Sequence, residues 1–119
     1  MAKTQQEKPT VAMPGKLAVP VFDGIELIAE NDIIYCKSDS NYTTLFLVAN
    51  KKLVASKTLK YFTGNLPEHQ FVRIHKSYLI NLNYVSKYLK KDGGELLMQN
   101  GDILPISRNN RTEILKLIQ

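Results

Sequence analysis

Cysteine is nearly absent from this chain: of 119 residues, Cys36 alone carries a thiol. A single thiol excludes an internal disulfide and leaves no second sulfur for a Cys-x-x-Cys metal site. Its expected place is that of a small buried apolar side chain. Long apolar runs are missing as well. No stretch reaches the roughly 18 consecutive apolar residues that a membrane-spanning helix needs, and the first residues, Met1-Ala-Lys-Thr-Gln-Gln-Glu-Lys8, lack the apolar segment of a secretory signal. A cytoplasmic protein without membrane contact is expected. A glycine-rich phosphate loop and a Gly-x-Ser-x-Gly elbow are also lacking, and His69 and His75 have no third ligand at a recognisable spacing. His75 and Ser77 could be mistaken for a base and a nucleophile, but no carboxylate is placed in sequence to orient the histidine. The expectation is therefore no catalytic site, no metal and no cofactor.

What is present is an ordinary globular composition, 44% hydrophobic and 23% charged, in a length that suits one domain with a modest core. The net charge of +5 is unevenly distributed. Through Asn50 there are four basic and six acidic residues, whereas from Lys51 onward there are twelve basic and five acidic ones. The basic surface thus belongs to the later part of the chain, and an excess of that sign favours a polyanionic partner.

Residues 1–16 are polar, contain Pro9, Pro14 and Gly15, and read as a flexible tail, leaving 17–119 as the folded domain. From Leu17 onward, short β-type runs alternate with turn signals. Strands are expected over 17–21, 25–28, 33–37, 42–48, 52–55, 71–74, 79–80, 84–89, 95–98 and 102–106. Asp23-Gly24 reads as a hairpin turn in which glycine accepts positive φ, and Asp92-Gly-Gly94 and Asn100-Gly101 read as two more. One internal helix is expected over 56–63, capped by Ser56, stopped by Gly64 in the left-handed conformation and barred from continuing by Pro67. A short carboxy-terminal helix carrying Ile114, Leu115 and Ile118 on one face follows, with Ser107 or Asn109 as its cap.

Three stretches carry polar residues of binding type. Phe71-Val-Arg-Ile-His-Lys-Ser-Tyr-Leu-Ile-Asn81 interrupts an apolar strand pattern with Arg73, His75, Lys76 and Ser77, and Arg, Lys and Ser are the donors that hold phosphates or reach guanine edges. Strand alternation would put Arg73 and His75 on one face and Ile74 on the other. His75 is assigned mainly to positioning, since a lone histidine is more often a hydrogen-bonded structural residue than a ligand. Ser38-Asp-Ser-Asn-Tyr42 reads most plainly as a solvated turn. Yet Asn41 offers the paired donor and acceptor that suit adenine, beside the phenol of Tyr42 and the charge of Lys37. Asn100-Gly101-Asp102-Ile103-Leu104-Pro105-Ile106-Ser107-Arg108 delivers Arg108, whose planar fork pairs with guanine or phosphate, at the end of a short strand. Asn109 and Arg111 lie close by as weaker backbone-contact candidates.

Together these stretches, in this order, resemble the LytTR family, the DNA-binding domain of many bacterial response regulators. The resemblance covers roughly residues 17–118. It implies small antiparallel sheets stacked into an elongated, mostly β body with one internal helix and a short carboxy-terminal one, in which loops rather than a recognition helix read double-stranded DNA. It further implies that the 38–42 loop enters a major groove, that Lys76 approaches the DNA with Ser77 donating to a phosphate, and that Arg108 makes a DNA contact. By family, the domain acts as a transcriptional regulator on repeated half-sites, with two copies side by side on a target and the DNA bent. The residues before the first strand are too few for a receiver domain, so a stand-alone regulator or an excised domain is expected. Two other readings stay open on the residues alone. One is a β-rich module that binds a partner's strand at an exposed sheet edge. The other is a single-stranded RNA-binding domain, for which Tyr78, Tyr84 and Tyr88 are the stacking candidates.

Overall fold

Short runs of β-branched and aromatic residues, each too short to bury itself alone, pair locally and then stack. In the computed structural model, which describes residues 14–119, the described part of the chain forms three antiparallel sheets and two short helices. The first sheet is the hairpin of β1 (Lys16–Val21) and β2 (Gly24–Ala29). The central sheet contains β3 (Ile33–Asp39), β4 (Tyr42–Leu47), β5 (Lys51–Ala55), β6 (Phe71–His75) and β7 (Tyr78–Asn81), in the order β5-β4-β3-β7-β6. The third contains β8 (Val85–Leu89), β9 (Glu95–Met98) and β10 (Ile103–Pro105). Helix α1 (Leu59–Asn65) joins β5 to β6, and α2 (Arg111–Ile118) ends the chain. The tail expected over 1–16 lies outside the described residues except for its last three, of which Lys16 already belongs to β1.

The central sheet buries both of its faces, and each face has its own core. On one side Leu17, Val19, Leu45, Phe62 and Leu79 pack the first hairpin and α1 against the sheet. On the other side Ile74, Ile80, Leu96, Met98 and Ile114 hold the third sheet and α2. Burial on both faces explains why β3 opens with the unbroken apolar run Ile33, Ile34, Tyr35 and Cys36. A register shift between Ile33 and Tyr35 breaks strict alternation, so Ile34 and Tyr35 both enter the second core while Ile33 and Cys36 serve the first. Cys36 is fully buried, and burial pushes its thiol well above the ordinary range. The outcome is an elongated body of 49 × 27 × 25 Å.

Four local expectations are corrected. The first hairpin turns at Phe22 and Asp23, with Gly24 already paired to Val21, and Gly24 is not among the glycines with positive φ. Helix α1 starts later, with Thr58 rather than Ser56 preceding its first turn and no side-chain cap. It runs through Gly64 to Asn65, because the Leu66 N–H closes onto the Phe62 carbonyl and no left-handed stop is needed. Neither Ser107 nor Asn109 caps α2; Asn110 precedes it, after a short 3-10 turn over Arg108–Asn110. Finally, β6 is bulged at Ile74, Arg73 pairing with Leu79 and His75 with Tyr78. The extra residue moves His75 to the Tyr78 side of the sheet, so Arg73 and His75 do not share a face.

Candidate nucleic-acid interface

Two backbone hydrogen bonds bring the three candidate stretches together. The Ser38 N–H donates to the Ser77 carbonyl (2.9 Å), and the Ser107 N–H donates to the Ile74 carbonyl (2.8 Å). The β3–β4 hairpin, the β6–β7 turn and the segment after β10 therefore meet at one edge of the molecule, although they are dozens of residues apart in sequence. Within the central sheet, Lys37 lies opposite Tyr78, and Tyr78 lies opposite His75, so Lys37 and His75 flank one tyrosine in a single cross-strand row.

The β3–β4 connection is tighter than the sequence implied. Strand β3 extends to Asp39, which pairs with Tyr42, so the turn consists of Ser40 and Asn41 alone. Ser40 takes a left-handed φ of 57° to close it. Asn41 and Tyr42 are exposed at this tip, Tyr42 by 53%. Just behind them Thr43 is fully buried, and its hydroxyl donates to the Lys57 carbonyl at 2.7 Å. That bond ties the start of β4 to the segment before α1 and braces the tip.

The β6–β7 turn, Lys76-Ser77, is braced from within. The Arg73 Nε donates to the His75 carbonyl (3.0 Å) and its Nη2 to the Lys76 carbonyl (2.6 Å). A longer bond from Nη1 reaches the Thr63 hydroxyl at 3.4 Å. From the other side the Ser77 N–H donates to His75 Nδ1 (3.1 Å), and the His75 ring tilts against Tyr78 at 5.7 Å between centroids. Accepting at Nδ1 leaves a neutral imidazole to carry its proton on Nε2. Arg73, which the sequence grouped with the binding residues, is thus a clamp that occupies the turn's carbonyls. His75 holds the Ser77 N–H, and Lys76 is left exposed at the apex.

Arg108 does not sit at a strand end. Strand β10 stops at Pro105, and Arg108 opens the 3-10 turn, exposed, one residue after the Ser107 anchor to β6. Asn109 is exposed beside it, while Arg111, half-buried at the start of α2, joins Arg108, Asp92, Gly93 and Ile106 in lining a notch of about 340 Å³. A distant strut steadies this region. The buried Tyr35 hydroxyl donates to Asp102 Oδ2 at 2.8 Å, and Asn100 Nδ2 donates to the same oxygen at 3.0 Å. Desolvation, then this bond, push the Tyr35 phenol well above its ordinary range. Neither the strut nor the Arg73 clamp had a sequence signal, since the partners of each are set by folding. Among the described residues, no three of His, Cys, Asp and Glu come together as metal ligands, and no helix is long and apolar enough to cross a membrane. Tyr78, Tyr84 and Tyr88 all pack against the second core, so they do not form an open stacking platform.

A family model for the LytTr DNA-binding domain matches residues 23–119, which include every element of this edge. The chain belongs to the LytTr family. That family is one of DNA-binding domains. Among its relatives, the sensory transduction protein LytT of Bacillus subtilis is 29% identical over 105 residues, covering 87% of this chain and 43% of LytT. The CO-responsive transcriptional regulator RcoM of Rhodospirillum rubrum is 26% identical over 113 residues, covering 90% of this chain and 48% of RcoM. The chain therefore spans less than half the length of these relatives. A solved LytTr domain from a methyl-accepting/DNA response regulator of Bacillus cereus superimposes with a TM-score of 0.75 at 21% identity, over 87% of this chain and 96% of that one, and shows the shared fold. In this LytTr domain the stacked sheets and short helices are those expected of a mostly β, elongated body.

Proposed function

We propose that this LytTr domain binds double-stranded DNA sequence-specifically, through loops inserted into major grooves, and regulates transcription. The observation that carries the proposal is the pair of hydrogen bonds, Ser38 to Ser77 and Ser107 to Ile74, that gathers three polar stretches into one exposed edge. In this reading Asn41 and Tyr42 at the β3–β4 tip face base edges, the amide suiting adenine. Lys76 and Arg108 supply the charged donors, Arg108 with the fork geometry that suits guanine. Ser77, Lys37, Asn109 and Arg111 serve as phosphate contacts, which set register without reading sequence. His75 orients the β6–β7 turn. Two copies side by side would occupy repeated half-sites.

Selection of bound fragments from random duplex DNA tests this directly. The expected result is a repeated duplex motif whose binding is not competed by single-stranded RNA of the same sequence. Enrichment of no motif, with equal competition by single strands, would overturn the reading in favour of non-specific polyanion binding.

A further inference from the structure

Acidic residues concentrate at one flank of the molecule. Asp23, Glu26, Glu30 and Asp32 lie on the first hairpin or on the 3-10 turn that follows it. The same hairpin bears an uncovered apolar face: Phe22 at its tip is 100% exposed, and Ile25 and Leu27, side by side on β2, are 67% and 50% exposed. The outer edge of β1 is already occupied, because the Ser56 N–H donates to the Pro20 carbonyl and the Tyr61 hydroxyl to the Ala18 carbonyl. Among the described residues, no strand pairs with the outer edge of β2. Apolar patches rimmed by charge on a soluble protein mark interaction sites. The acidic rim repels DNA, so this face is not part of the nucleic-acid interface.

The opposite side of the central sheet offers a concave apolar surface with a lysine in its wall. Between β8 and α2 runs an open cleft of about 390 Å³, lined by Leu82, Val85, Tyr88, Leu117 and Ile118, with Lys87 among its walls. Leu117 is 54% exposed there. We propose that the acidic, apolar β1–β2 hairpin of one copy docks into the apolar β8–α2 cleft of a second copy, its carboxylates meeting Lys87, in a head-to-tail contact. A symmetric contact is disfavoured at either surface. Hairpin against hairpin would oppose like charges, and cleft against cleft would leave two concave surfaces unfilled. A heterologous contact of this kind is not self-complementary and joins copies in series. Repeated DNA sites would hold copies in such a series, which makes this inference rest on the DNA-binding reading above.

The test measures binding to duplexes that carry one selected site, or two at a scanned series of spacings. Wild-type protein should bind the second site with roughly 5- to 150-fold higher affinity than a single site at the best spacing, the range of ordinary coupling between sites. The double variant Phe22→Ser/Ile25→Ser, and separately Leu117→Ser, should abolish that advantage while keeping single-site affinity and cooperative thermal unfolding. An equimolar mixture of the two variants should recover part of it, since an intact hairpin can then meet an intact cleft. A symmetric interface would show no such recovery. Single-site binding without cooperativity at any spacing, cooperativity that survives both variants, or a mixture that recovers nothing would each overturn the contact and leave DNA binding standing. Loss of single-site binding by the wild type would instead sink the DNA reading, and this contact with it.

Discussion

At the scale of single residues, the β6–β7 turn separates Lys76, proposed to contact DNA, from Arg73, which holds the turn that presents it. Lys76→Ala should weaken DNA binding by about 1–3 kcal/mol if the ammonium reaches a base, or weaken all sequences alike if it meets only phosphate. Its melting temperature should hardly change, because the lysine is exposed. Arg73→Gln should also weaken binding, by a different route: it frees the His75 and Lys76 carbonyls that the guanidinium holds. Both losses and the double variant belong in one thermodynamic cycle. If Arg73 acts by positioning Lys76, the double variant loses clearly less than the sum of the singles; strict additivity would show that the clamp and the contact are independent. Arg108 tests base reading more sharply. Arg108→Ala should cost about 1–3 kcal/mol on the preferred duplex and less on a scrambled one. Arg108→Lys should fall short of full rescue, since a point charge lacks the planar fork. Equal losses on both duplexes would make Arg108 a phosphate anchor. Lys76 and Arg108 can be proposed from the sequence because both stand in recognisable motifs. The clamp was not, since its geometry depends on the β-bulge at Ile74.

Elements were legible where local chemistry decides them, and illegible where tertiary contacts do. The strand runs and the Asn100-Gly101 turn follow from alternation and from glycine, which takes a φ of 97° at Gly101. The helix caps failed because α1 and α2 are held by Leu59, Phe62 and Ile114 in the two cores, which makes capping side chains dispensable. The β3–β4 tip shows the opposite imbalance. The turn needs a left-handed residue, and the sequence supplies Ser40, at φ 57°, rather than glycine. A β-branched side chain pays the full steric penalty there, so Ser40→Val should lower stability by about 1–3 kcal/mol. Ser40→Gly should be near neutral or better. Urea midpoints at constant m-value would read both changes. A Ser40→Val protein as stable as wild type would mean that the tip relaxes to another turn, and the placement of Asn41 and Tyr42 would then need revision.

The whole molecule adds what no element holds alone. The asymmetry seen in the sequence, acidic before Asn50 and basic after it, becomes spatial: the acidic hairpin lies on one side of the central sheet, and Lys87, Lys90 and Lys91 lie on or next to β8 on the other. The edge that carries Lys37, Lys76 and Arg108 runs between them. Counterion release makes this layout measurable, since log affinity for duplex DNA falls linearly with log salt, with a slope of about −0.9 per phosphate neutralised. Lys37 and Arg111 are the cations proposed to meet phosphate, with Lys76 a third if it does not reach a base, so a slope of roughly −2 to −3 is expected for one copy on one site. Replacing a residue that meets phosphate should lessen the slope by about 1, whereas replacing one that only reads a base should lower affinity with little change in slope. Glu26→Gln, on the flank turned away from DNA, should leave the slope where it was. Anisotropy titrations of one duplex from about 50 to 200 mM salt supply the numbers. A slope near zero would be incompatible with phosphate contacts by these side chains. A slope that shifts with Glu26→Gln would place the acidic hairpin against the DNA, in conflict with its assignment as a docking face for a second copy.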